Sequence, residues 1–109
     1  MVEAKIEDAL CEYLERYHLG ERESASSKKL EAVFDVKGSE LRRIINNLRS
    51  QSQPICSNAP GYFYAANQEE INATVAQLSS RISHIAKARD GLRKCTKYAP
   101  EQLSFVKED

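Results

Sequence analysis

Apolar residues recur at helical spacing in four stretches of the chain and alternate briefly in a fifth. Over about 3–17, Ile6, Leu10, Tyr13, Leu14 and Tyr17 share one face, with Glu and Asp crowding the other, which predicts an amphipathic helix. Leu19-Gly20 closes it. The polar connection ERESASS follows, and Ser26 is placed to cap a short second helix over about 27–34 with Leu30, Val33 and Phe34 as its apolar side. Asp35-Val36-Lys37-Gly38 reads as a tight turn. A third helix is predicted over about 39–51, where Leu41, Ile44, Ile45 and Leu48 stand at i, i+3, i+4 and i+7. Two short helices joined by a tight turn with Gly near its end form a helix-turn-helix pattern.

Pro54 stops the helical period. Ile55-Cys56 and Tyr62–Ala65 then read as short strands around the turn Asn58-Ala59-Pro60-Gly61, and a hairpin directly after such a third helix has the form of a wing. Alternation does not decide which of Tyr62, Phe63 and Tyr64 point inward. From Gln68 to Cys95 the pattern is one long helix. Its Ile71, Val75, Leu78, Ile82, Ile85 and Leu92 make a heptad seam, broken where Arg89 takes the apolar position. At 1.5 Å per residue it is roughly 40 Å long, more than a three-helix domain of about 65 residues can cover. Two uses stay open for it, and both can hold: packing of its first half on the first helix, and self-association through the seam. The predicted architecture is mostly α with a small β-hairpin: a winged helix-turn-helix over 1–67, a long C-terminal helix over 68–95 for packing or dimerisation, and an aperiodic tail over 96–109.

Composition narrows the class. The chain has 109 residues, 41% hydrophobic and 29% charged, a globular balance. Cys11, Cys56 and Cys95 are far apart and odd in number, which signals neither a disulfide framework nor a zinc site and suits free thiols in a reducing cytoplasm. The charged, amphipathic start lacks the apolar core of a signal peptide, and no apolar run approaches the roughly 18 residues that span a bilayer. Net charge is zero but unevenly spread: residues 1–25 carry three basic and seven acidic side chains, residues 26–50 six and three. Zero net charge argues against indiscriminate coating of nucleic acid, while the basic second quarter marks where an anionic partner would bind.

Catalytic signals are missing. His18 and His84 fall on separate helices without ligand spacing, and no phosphate loop, nucleophile elbow or H-E-x-x-H motif occurs. The expectation is a non-enzyme with no cofactor, no metal site and no small-molecule ligand. The third helix is more informative. With its apolar stripe inward, Ser39, Arg43, Asn46 and Ser50 lie opposite, flanked by Arg42 and Asn47. Arg forks onto guanine and Asn onto adenine in a major groove. Lys28, Lys29 and Lys37 are placed to meet phosphates. The wing turn has no Arg or Lys to enter a minor groove, although Asn58 and nearby backbone N–H groups suit a phosphate.

The stretch from Ser26 to Leu92 resembles small winged-helix proteins encoded in bacterial phages and prophages. The likeness lies in R-x-I-I-N-x-L-R from Arg42 to Arg49, P-I-x-S-x-x-x-G-Y from Pro54 to Tyr62, the acidic pair Glu69-Glu70, and L-x-S-R-x-x-x-I from Leu78 to Ile85. The resemblance implies a winged helix in a bacterial or phage cytoplasm with a regulatory or replication-associated role. The expected function is sequence-specific double-stranded DNA binding by a homodimer, its recognition helices about one DNA turn (roughly 34 Å) apart on a palindromic site. The alternative is a winged-helix adaptor for a replication or transcription protein. It is favoured by the neutral net charge and the wing without basic residues.

Overall fold

The local signals that predict the helices reappear as explicit caps in the computed structural model, which describes residues 2–98, with side chains from Lys5 onward. The Ser26 hydroxyl accepts from the Lys29 backbone N–H at 3.1 Å and starts α2 (Ser27–Phe34). That helix ends at Asp35, whose left-handed backbone (φ 54°) turns the chain, a conformation Asp tolerates better than most residues. The helix α3 (Gly38–Ser50) follows at once. α1 (Val2–Tyr17) precedes this pair, and a single 3-10 turn (Glu21–Glu23) separates α1 from α2. After α3 come the antiparallel strands β1 (Ile55–Ser57) and β2 (Tyr62–Tyr64), then α4 (Gln68–Arg93). The fold is thus a winged helix-turn-helix with a long C-terminal helix.

The chain divides into two units, residues 1–76 and 77–109. The core of the first is aliphatic. Leu10 and Leu14 of α1 meet Leu30 of α2, all four apolar positions of α3, and Ile55 of β1, with Ala25 closing one side. The hairpin has two faces. Ile55 opposes Tyr64 and Ser57 opposes Tyr62, and both tyrosines pack on this core; Cys56 opposes Phe63, and both are buried on the other face. There the Cys56 thiol donates to the Glu70 carbonyl at 3.5 Å, and the Ser57 N–H to the buried Thr74 hydroxyl at 3.3 Å. The start of α4, read from sequence as able to pack on α1, is therefore hydrogen-bonded to the wing.

The segment read as a polar connection is part of the sheet edge. β2 exchanges hydrogen bonds with His18, Gly20 and Ala25, including Ala25 N–H to Tyr62 O at 2.7 Å and Tyr62 N–H to Ala25 O at 2.9 Å. Gly20 has φ 91°, so only glycine fits it without strain. Gly61 is needed for a different reason: a Cβ there would stand 1.9 Å from the Ala25 carbonyl oxygen. In the second unit α4 continues to Arg93, and none of the described residues 77–98 is buried. The tail expected over 96–109 lies, from 99 on, outside the described residues. No helix among the described residues is long and apolar enough to cross a membrane.

Candidate nucleic-acid interface

α3 has one buried and one open face. Leu41, Ile44, Ile45 and Leu48 are buried, whereas Ser39, Arg42, Arg43, Asn46 and Ser50 are exposed. Arg43 makes a loose i,i+3 ion pair with Glu40, 3.7 Å apart at the surface. Such a pair stabilises by only about 0.3–0.5 kcal/mol. Lys28 and Lys29, at the start of α2, and Lys37, at the N-cap of α3, are also exposed.

Asn47 and Asn58, read from sequence as site residues, also have structural partners. The Asn47 amide is half-buried and donates to the Glu7 carboxylate at 2.9 Å; the Gln51 amide reaches the same group at 3.5 Å. Glu7 is itself buried, so this bond ties α1 to the last turns of α3. The Asn58 carboxamide accepts from the Gly61 N–H and donates to the Glu21 carbonyl, both at 3.0 Å. It shapes the wing turn and fastens it to the 3-10 turn.

Arg49 was not singled out for a role of its own. Its Nε donates to the Ile55 carbonyl at 2.8 Å and its Nη2 to the Ser57 hydroxyl at 3.2 Å, joining the last turn of α3 to β1. The signal was its place beside Leu48, at the edge of the buried stripe and just before the hairpin. His18 is also buried; its Nδ1 lies 2.6 Å from the Glu23 carbonyl oxygen, while Nε2 is buried with no hydrogen-bond partner.

Burial pushes the Cys56 and Cys11 thiols above their ordinary range, with nearby carboxylates adding to the effect at Cys11. That is opposite to the lowered pKa of a nucleophilic cysteine. Among the described residues, no group of three or more His, Cys, Asp or Glu is placed to hold a metal ion. A shallow groove of about 300 Å³ between α1 and α2 is lined by Ala9, Glu12, Tyr13, Arg16, Tyr17, Val33 and Phe34. Tyr13 packs against Tyr17, His18 and Phe34 with ring centroids 5.2, 5.3 and 5.4 Å away.

Comparison with protein-family models, curated proteins and solved structures finds no match. The functional reading therefore rests on the residues themselves.

Proposed function

We propose that this protein is a sequence-specific double-stranded DNA-binding protein that acts as a homodimer in phage or prophage transcription regulation or replication. α3 enters the major groove and the wing lies beside it. The reading is carried by the two faces of α3: the buried stripe fixes the helix, and Ser39, Arg42, Arg43, Asn46 and Ser50 are solvent-exposed on its other side. Arg43 and Asn46 are the base-reading pair. Lys28, Lys29 and Lys37 neutralise phosphates and set the register.

The test is a selection from random duplex oligonucleotides, followed by binding titrations on the enriched site. Arg43→Ala and Asn46→Ala each weaken that site by about 1–3 kcal/mol and relax base preference locally. Alanine at Lys28, Lys29 or Lys37 weakens all sequences alike and lowers the slope of log K against log salt by about one. If the two α3 variants bind the selected site as tightly as wild type, the assignment of the recognition helix is wrong.

A second reading, an adaptor for a replication or transcription protein, is favoured by the aromatic groove between α1 and α2. Exposed apolar and aromatic surface of that kind suits a protein partner. Under it, the same oligonucleotide selection enriches no sequence.

A further inference from the structure

Among the described residues, the second unit presents an exposed apolar row. Ile82, Ile85 and Leu92 are 66, 63 and 76% exposed. A lone helix of about 16 residues is marginal in water, and most helices of that length owe their stability to a packed apolar face. In heptad terms Leu78, Ile85 and Leu92 are d positions, and Ile82 and Arg89 are a positions.

We infer that residues 78–92 pair with the same stretch of a second copy as a parallel, in-register, two-stranded coil. This deepens the homodimer of the function proposed above and rests on it. The sequence of the row selects the occupant and its direction. In a parallel coil each layer faces its own copy, so Leu78, Ile82, Ile85 and Leu92 form four apolar layers. An antiparallel coil sets a against d, and Ile82 is the only apolar a position in this stretch. Within 78–92 at most two apolar layers then form; with Val75, the exposed a position just before this stretch, the best antiparallel register forms four against five in the parallel coil, and Arg89 faces Leu78 in its other two. Ile82 at a with leucine at two of the three d positions, and one charged residue at a single a position, is close to the pattern of parallel dimers, from which Ile85 at d departs.

Flanking charges agree with this pairing. In the parallel register each g position meets the e position five residues on in the partner, so Arg81 lies opposite Ala86 and Ala88 opposite Arg93, with no like-charged g–e pair; the one like-charged layer is Arg89 against its own copy. Arg89 carries its own counter-charge: its Nε and Nη2 lie 3.0 and 2.9 Å from Asp90, and Arg93 is 3.8 Å from the same carboxylate. The four apolar side chains on each copy, with the arginine stems beside them, bury on the order of 1,000 Å². That is the low end for a specific interface, so dissociation at about 10 μM is expected.

Cys95 reports the direction. It is exposed just beyond α4, whereas Cys11 is half-buried and Cys56 buried, so a thiol-reactive spin label takes Cys95 first. In the parallel coil the two Cys95 backbones lie level, about 10 Å apart. Every antiparallel register that stacks Ile82 on a d residue separates them by at least about 24 Å along the axis. Sedimentation equilibrium of the full chain, with pulsed electron paramagnetic resonance on the labelled protein, decides the matter.

The expected result is a concentration-dependent dimer with the short distance. Ile82→Glu with Ile85→Glu should weaken association at least about 100-fold while leaving the urea midpoint of the winged unit unchanged. A monomer at about 200 μM, the long distance, or loss of the folded winged unit in the double variant overturns the inference. A monomer that still selects a DNA site leaves the DNA reading standing; a parallel dimer that selects none removes the DNA reading and leaves the coil.

Discussion

Replacing Gly61 by alanine tests how the wing is held. An ideal Cβ at this position lies 1.9 Å from the Ala25 carbonyl oxygen, 2.6 Å from its carbon and 2.9 Å from the Ser26 Cα. All three neighbours are backbone atoms, so no side chain can swing away. Bringing 1.9 Å to an ordinary contact of 3.4 Å means moving the two segments about 1.5 Å apart, more than a packed backbone yields without repacking. The shift breaks the reciprocal Ala25–Tyr62 pair, whose hydrogen bonds are 2.7 and 2.9 Å long. Two net backbone bonds contribute about 1 kcal/mol each, and stranded buried groups cost more. Ala25 leaves the core, and Ser26, the cap of α2, moves with it, placing a further ~1 kcal/mol at risk. The expected loss is about 3–4 kcal/mol, read by urea denaturation monitored by circular dichroism. Gly91→Ala is the internal control: nothing lies within 4 Å of its Cβ position, so it should stabilise α4 by up to about 1 kcal/mol. A Gly61→Ala protein within about 0.5 kcal/mol of wild type would refute the close approach and its role.

Two further measurements probe the ties around α3 and the buried thiols. Glu7→Ala should cost about 1–3 kcal/mol by leaving the Asn47 amide without its acceptor. A double-mutant cycle with Asn47→Ala should show coupling of about 1 kcal/mol, and simple additivity would mean that the bond contributes nothing. Stability should also fall in alkali. The folded thiols of Cys56 and Cys11 are pushed above their ordinary value of 9.0, by burial first. Groups raised in the folded state contribute stability that is whole below the unfolded value and is lost as pH rises through the folded one. The urea midpoint should therefore hold from pH 7 to about 8.5 and decline above it, less steeply in Cys56→Ala; a flat profile to pH 10 contradicts this.

Most of the fold was legible because periodicity reports burial directly. The stripe at Leu41, Ile44, Ile45 and Leu48 located α3 to within one residue at each end, since a helix that turns four branched side chains inward has few other ways to lie. Ser26 marked the start of α2 through its side-chain chemistry. The exposed half of the candidate site followed from the same geometry, as the complement of a buried stripe. What stayed hidden are contacts between segments distant in sequence. Nothing in ERESASS announces that Ala25 pairs with Tyr62, because an isolated bridge leaves no periodic trace. Asn47 lay on the open side of a helical wheel, yet it meets Glu7 from another helix, 40 residues away. The three aromatics of β2 were ambiguous because both faces of the hairpin are covered, one by the core and one by the start of α4.

What the wing could contribute to the proposed DNA recognition follows from what its residues are occupied with. Its turn has no basic side chain, and Asn58 is committed to Gly61 and Glu21. β1 receives Arg49 from α3, and β2 receives the backbone of the segment before α2. α3 is thus fastened by Glu7 from α1, by Arg49 to the wing, and through the wing to the cap of α2. Rigid placement matters for a short reading helix, since base-edge hydrogen bonds tolerate errors of only a few tenths of an ångström. If α3 reads DNA as proposed, the wing acts as a buttress for α3 more than as a probe of the minor groove. Breaking the Arg49 clamp should then weaken binding to every sequence alike, where a minor-groove contact would show itself as a preference at the base pairs beside the site.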